Sequence, residues 1–206
     1  VSSIKENNNF YRNTIINKTL QKLKLYKGRI IKEKSLLFSN DLLDIDDGNY
    51  IDGFFQSEQY FLAVKEKILK EFTIKDNLSD YAKLMGQKIQ SADNTVSIHI
   101  RRGDYIFNKS ARKIHGICSL SYYQQAIELL KYKFPHIKYF IFSDDIDWCK
   151  ENLKINNAIY MDSEEKASPY EDMYLMSLCE HNIIANSSFS WWGAWLNKNP
   201  EKIVIS

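Results

Sequence analysis

Apolar positions change their period near the middle of the chain. Up to about residue 92 the spacing is helical. Tyr60, Val64, Ile68 and Phe72 recur every four residues with Lys65, Glu66 and Lys67 between them, which predicts an amphipathic helix. A second helix is predicted from Leu78 to Ile89, with Tyr81, Leu84 and Met85 facing inward. Asp46, Asp47, Gly48 and Asn49 form a turn signal. From residue 93 onward, short apolar strands alternate with helices. Val96, Ile98 and Ile100 line one side of a strand that ends at Arg101. A capping-box pattern at Ser121–Gln124 opens a helix carrying Tyr123, Ile127 and Leu130, and Pro135 separates it from the apolar run Tyr139–Phe142. A helix with Ile146, Cys149 and Leu153 on one face follows, then a strand over Ala158–Met161. Ser168 and Glu171 form a second capping box, with Pro169 at the favoured first helical position. That helix is apolar nearly all round through Met173, Leu175 and Leu178, so it should be buried. A strand over Asn182–Ala185, a helix from Phe189 to about Asn197 and a strand over Lys202–Ile205 complete the pattern. Alternation with such short connections predicts an α/β fold, a Rossmann-like parallel sheet with flanking helices.

Composition narrows the picture little. The 206 residues are 44% hydrophobic, enough for one sizeable core and a smaller appendage. A formal charge of +2 gives no case for nucleic-acid binding and leaves room for a local phosphate site. The cysteines Cys118, Cys149 and Cys179 are widely spaced and odd in number, so they read as reduced thiols rather than as a metal or disulfide set. No apolar run approaches the ~20 residues that span a bilayer.

Ligands of parallel α/β sheets bind beyond the carboxyl ends of the strands, and three predicted strand ends carry polar clusters. His99, Arg101, Arg102, Gly103 and Asp104 follow the first strand. Arginine offers a planar fork of donors suited to phosphate oxygens. Neighbours on an extended chain point opposite ways, so one arginine should face the ligand while the other pairs with Asp104 or a second oxygen. Arg101 is the expected clamp, because residues 97, 99 and 101 share the side opposite the apolar positions. A solvated basic turn is the plainer alternative. Ser143, Asp144 and Asp145 end the second strand. One aspartate is expected to cap the next helix, and the other to accept from a nucleotide base or sugar. Asn186, Ser187, Ser188, Phe189 and Ser190 lead into the tryptophan-rich helix, whose free N–H groups suit a pyrophosphate. Phe189 is a candidate to pack on a base, and Trp191, Trp192 and Trp195 read as core, with sugar stacking as the sharper alternative. The acidic triplets at Asp44–Asp46 and Asp145–Asp147 match a common metal-holding pattern but are too short to assign one. His115, His136 and His181 have no ligand-like spacing.

The segment Ser97–Tyr105 resembles the signature of the α-1,2-fucosyltransferase family, and its basic motif is similar to that of α-1,6- and protein O-fucosyltransferases. The resemblance continues in Gly53–Phe61, Phe140–Asp145, Asp172–His181 and Ile183–Leu196, in family order. It implies a two-domain glycosyltransferase with facing Rossmann-like domains, GDP-β-L-fucose as donor, inversion at the sugar carbon, transfer to a galactose-containing glycan as an α-1,2 linkage, and no required metal. It implies that Arg101 and Arg102 clamp the pyrophosphate, that His99 and Asp144 contact guanosine, and that Ser187, Ser188 and Ser190 contact phosphate or ribose. The family's usual glycine-rich opening, reading much like GGLGNQMFQYA, has no match. The expectation is therefore a carboxyl-terminal, donor-binding part: residues 93–206 form the nucleotide-binding domain, and residues 1–92 are a mainly helical segment belonging to or leading from an acceptor-side domain that is largely missing. No general base is named by this reading. A different nucleotide sugar, or a silent nucleotide- or glycan-binding module, are the competing readings. Abundant Asn, Lys and Ile suggest a low-GC bacterial source, hence a cytoplasmic location with peripheral attachment at the inner membrane.

Overall fold

The structure, a computed structural model, describes residues 29–74, 78–103, 106, 116–162 and 168–206. It divides into two compact units between Glu71 and Phe72.

In the first unit, β1 (Ile30–Lys32) pairs in parallel with β2 (Tyr50–Asp52). The predicted turn forms between them, with Gly48 at φ 84° and the Asn49 amide donating to the Asp46 carbonyl at 2.8 Å. The Glu33 carboxylate accepts from the backbone N–H groups of Phe54 and Phe55 at 2.8 and 3.2 Å. A Cβ on Gly53 would lie 2.5 Å from that of Glu33, so glycine is required for this approach. The expected helix through Tyr60 is only partly realised. Two 3-10 turns, Glu58–Tyr60 and Leu62–Val64, precede α1 (Lys65–Glu71). Tyr60 leaves the periodic face because its ring packs on Phe38 and Phe55 and its hydroxyl accepts from the Ser39 N–H at 3.0 Å. Val64 and Phe72 are about half exposed. The unit thus carries a strand pair that a mainly helical reading does not contain.

The second unit opens with α2 (Asp80–Gln90), N-capped by Ser79. Met85 and Ile89 are buried, whereas Leu84, expected inward, is exposed. Next come β3 (Thr95–Ile100), α3 (Leu120–Lys133), β4 (Lys138–Ser143), α4 (Ile146–Asn152), β5 (Ala158–Tyr160), α5 (Pro169–Leu178), β6 (His181–Ile183), α6 (Ser188–Leu196) and β7 (Val204–Ile205). The five strands make one sheet in the order β5-β4-β3-β6-β7, and every pairing is parallel. Counted within this unit the order is 3-2-1-4-5, the doubly wound arrangement. The order reverses between β3 and β6, which makes that gap the topological switch point.

Both faces of the sheet are covered. Val96, Ile98, Ile100, Tyr139 and Ile141 pack with Ile127 and Leu130 of α3 and Cys149 of α4. Phe140 and Phe142 pack on the other side with Ala82, Met85 and Ile89 of α2 and Leu175 and Met176 of α5. All six residues of β3 are buried, as suits the central strand of such a sheet. The capping box at Ser168 forms. That at Ser121 does not. Ser119 caps α3 instead, accepting from the Tyr122 N–H at 3.2 Å, because Leu120 packs against the core and draws the helix start two residues earlier. Gly193 of α6 lets that helix press on α5, since a Cβ there would lie 3.0 Å from the Met176 Cβ. No helix among the described residues is long and apolar enough to cross a membrane.

Candidate functional site

Sheet order brings the three predicted clusters together. β4 and β6 flank β3, so the residues after Ile100, Ser143 and Ile183 lie side by side along one edge of the sheet. The edge is pinned by the first turn of α3. The Tyr123 hydroxyl donates to the His99 carbonyl at 3.2 Å. The Tyr122 hydroxyl reaches the carbonyls of Ile184 and Ile205 at 2.7 and 2.9 Å. Two adjacent tyrosines thus fix the ends of β3, β6 and β7.

The turn after β3 is built on Asp144. One of its oxygens accepts from the Arg102 N–H at 2.8 Å, and the other accepts from the Gly103 N–H at 3.0 Å and pairs with the Arg101 guanidinium at 3.3 Å. The approach depends on Gly103, where a Cβ would fall 2.7 Å from that second oxygen. A carboxylate has about four lone-pair sites. Three donors already engage Asp144, so a base edge would have to share it. Asp145 caps α4 by accepting from the Trp148 N–H at 3.3 Å, and also pairs with the Arg102 Nε at 3.1 Å. Asp145 thus supplies the expected cap, while Asp144, expected to face a nucleotide, holds the turn's own backbone and Arg101. Asp104, expected to pair with an arginine, lies outside the described residues, as do Tyr105 and His115.

His99 is 5% exposed. Burial, opposed by Asp144 and assisted by Arg101, lowers its pKa to about 4, so the ring is neutral at pH 7. Its ring sits 5.5 Å from that of Phe189, its Nδ1 has no hydrogen-bond partner, and its carbonyl is occupied by Tyr123. His99 therefore joins β3 to the start of α6 from inside. Its carbonyl and its buried ring are poorly placed for direct guanosine contact.

Ser187 occupies the N-cap position of α6, and its side chain makes no capping hydrogen bond. Ser188 is exposed, and Ser187 and Phe189 are half-buried, so this helix N-terminus opens on the same sheet edge. Ser190 behaves differently. It is fully buried and its hydroxyl is directed to the carbonyls of Ala185 and Ser187 at 3.3 and 3.2 Å. It shapes the entry to the helix instead of lining the edge, which revises the expectation of a phosphate or ribose contact. The far end of α6 is closed by Lys202, whose ammonium donates to the carbonyls of Ala194 and Asn197 at 2.8 Å each. A cation there complements the helix dipole.

Two groups escaped sequence reasoning. Trp148 lies under Arg102, with the guanidinium carbon 3.7 Å from the ring centroid. Its position three residues after the capping Asp145, in the first turn beyond a strand end, was the available signal. Tyr122 was hidden because a tyrosine at the start of a helix reads as packing. Of the acidic triplets, Asp145–Asp147 falls at the start of α4, and no metal-holding group of His, Cys, Asp or Glu occurs among the described residues.

Comparison with known proteins places this arrangement. The model of glycosyl transferase family 11 matches residues 3–206. The chain is 48% identical over 160 residues to an α-1,2-colitosyltransferase of Escherichia coli, an alignment covering 75% of this chain and 53% of that protein. It is 36% identical over 202 residues to the O-antigen biosynthesis glycosyltransferase WbnK of Escherichia coli, covering 96% of this chain and 65% of the relative. It is 27% identical over 154 residues to galactoside α-(1,2)-fucosyltransferase 1 of Leontocebus fuscicollis, covering 71% and 42%. The chain thus spans about half to two thirds of the two bacterial relatives' length, and less of the primate enzyme. The sheet order, the paired arginines at its central strand and a match over nearly the whole sequence agree: the chain belongs to glycosyl transferase family 11.

Proposed function

We propose that the chain carries the donor side of an inverting glycosyltransferase that moves L-fucose from GDP-β-L-fucose to a galactoside hydroxyl, forming an α-1,2 linkage in a surface glycan. The observation that carries the reading is the meeting of Arg101, Arg102, Asp144 and the open N-terminus of α6 on one sheet edge beside the switch point. Breaking the sugar–phosphate bond adds negative charge to the departing GDP. A fixed guanidinium at the β-phosphate stabilises that charge more in the transition state than in the ground state, which raises the rate and not merely the affinity. Arg101 is the clamp in this reading, and the N–H groups of Ser188 and Phe189 take the remaining phosphate oxygens. With guanidinium and helix N-terminus supplying the charge, the reaction needs no metal. The proposed setting is the cytoplasmic face of a membrane, where a lipid-linked or surface glycan is built.

A second sugar has specific support. The relative with 48% identity is named for colitose, the 3-deoxy form of fucose. A pocket that hydrogen-bonds a sugar hydroxyl rejects the deoxy analogue strongly, while a pocket lacking that bond rejects the extra hydroxyl only weakly. Comparing kcat/KM for guanosine-linked fucose and colitose decides between them. The nucleotide is tested by calorimetry with GDP, UDP and ADP, with and without EDTA. Selective GDP binding that survives EDTA is expected. Equal or tighter UDP binding, or loss of binding with EDTA, defeats the proposal. Absence of any nucleotide binding would favour a silent module.

A further inference from the structure

Arg102 is held more firmly than a donor site by itself requires. Its guanidinium lies on the face of Trp148 at 3.7 Å, and its Nε donates to Asp145 at 3.1 Å. Asp145 and Trp148 are themselves joined through the cap of α4, so one helical turn supplies both halves of the grip. The main chain is fixed as well. The Arg102 N–H donates to Asp144 and its carbonyl accepts from the Ile106 N–H at 2.9 Å. The Arg102 side chain is 19% exposed, against 37% for Arg101.

We infer that Trp148 is a positioning residue for donor binding: with Asp145 it forms a socket that locks Arg102, and through it the turn after β3, so that Arg101 is presented to the phosphates. An arginine has many rotamers, and a flat face together with an ionic partner selects one of them. With the Arg102 side chain fixed, its own N–H and that of Gly103 stay directed at Asp144, and Asp144 in turn steadies the Arg101 guanidinium. Trp148 touches no substrate in this scheme and acts only through Arg102. The inference rests on the donor-site reading above, so its test has one arm that does not use nucleotide.

The proteins to compare are the wild type, Trp148→Leu, Trp148→Phe, Arg102→Lys and the double variant Trp148→Leu/Arg102→Lys. In the first arm, hydrogen exchange is followed at the Arg102 and Gly103 amides, with the β3 amides as an internal reference. Trp148→Leu should speed exchange at the turn and leave β3 unchanged. Unchanged exchange at the turn overturns the socket whatever the ligand. In the second arm, GDP affinity is measured by calorimetry. Trp148→Leu should weaken it about tenfold, the size of one shielded cation–π contact. Trp148→Phe should restore most of the loss, and the double variant should bind as Arg102→Lys alone does, since Trp148 acts only through Arg102. Additive losses, or no rescue by phenylalanine, overturn the inference. If the wild type does not bind GDP while the exchange arm behaves as expected, the donor reading fails, Trp148 loses its role in donor binding, and the mechanical socket stands.

Discussion

Glu171 offers the sharpest test of how the second unit is held together. The residue is 2% exposed and sits in the first turn of α5. One of its oxygens accepts from the Ser79 N–H at 2.6 Å, and the other accepts from the Ser79 hydroxyl at 3.2 Å and from the Ser168 N–H at 3.1 Å. Ser79 caps α2 and Ser168 caps α5, so one carboxylate closes both helix starts, reaching Ser79 across 92 residues of chain. Replacing Glu171 with Ala strands two part-buried backbone N–H groups. Each such loss costs about 1–3 kcal/mol, while the Ser79 hydroxyl can turn away, so the expected total is about 2–6 kcal/mol. That is a large share of the ~5–15 kcal/mol that stabilises an ordinary domain. Glu171→Gln keeps one acceptor oxygen but turns an amide donor toward the others, for a loss of about 1–2 kcal/mol.

The pH dependence separates this from simple loss of volume. Burial pushes the Glu171 carboxyl up, and its hydrogen bonds to Ser79 and Ser168 more than offset this, so its pKa lies below 4.5. A depressed carboxylate pKa contributes stability that is present above the unfolded value and is lost as pH falls through the folded one. Wild type should therefore weaken below about pH 4.5 by an increment that Glu171→Gln lacks. Urea unfolding at pH 7 and at steps down to pH 3, read by far-ultraviolet circular dichroism, measures both quantities. A Glu171→Ala protein within 1 kcal/mol of wild type, or a Gln variant with the same acid loss, would refute the account of a shared cap.

Arg101→Lys keeps the charge and removes the fork, so steady-state kinetics should show kcat falling about 10²–10³-fold with the melting temperature nearly unchanged; normal turnover would remove Arg101 as the clamp. Gly103→Ala must push Asp144 off the turn, given the 2.7 Å approach, and should weaken GDP about tenfold in calorimetry, the loss of one charge-assisted bond. Ser190→Ala should cost about 1 kcal/mol of stability by urea titration while leaving GDP affinity intact; a large loss of affinity would restore Ser190 to the ligand site. His99, lowered to about 4 from 6.5 by burial, must bind a proton on unfolding between those values, so acidification across that window destabilises the fold. His99→Gln should flatten the stability slope there, and an unchanged slope would show that the ring does not titrate this way.

Residue types were legible in the sequence where a local rule governs them, and illegible where a partner across the sheet does. Val96, Ile98 and Ile100 announced one buried face of β3, though its polar face is buried too, and the apolar α5 is buried at Leu175 and Met176 but only half-buried at Met173 and Leu178. Once the strands are in the order observed, the polar clusters meet, because β4 and β6 flank β3. What the clusters do on meeting was not legible. Ser187, Ser188 and Ser190 look alike in the sequence, yet a helix turn carries Ser190 inward to the Ala185 carbonyl and leaves Ser188 exposed. Asp144 and Asp145 are equally alike. Their separation is decided by Gly103, which stands 41 residues away and contributes only the absence of a side chain. A glutamate in place of Asp144, one methylene longer, or an alanine in place of that glycine, would open the turn without touching the apolar pattern of the strands and helices. The fold therefore depends on the apolar pattern, which tolerates substitution at many positions. The site depends on a few close approaches between residues that share no local signal.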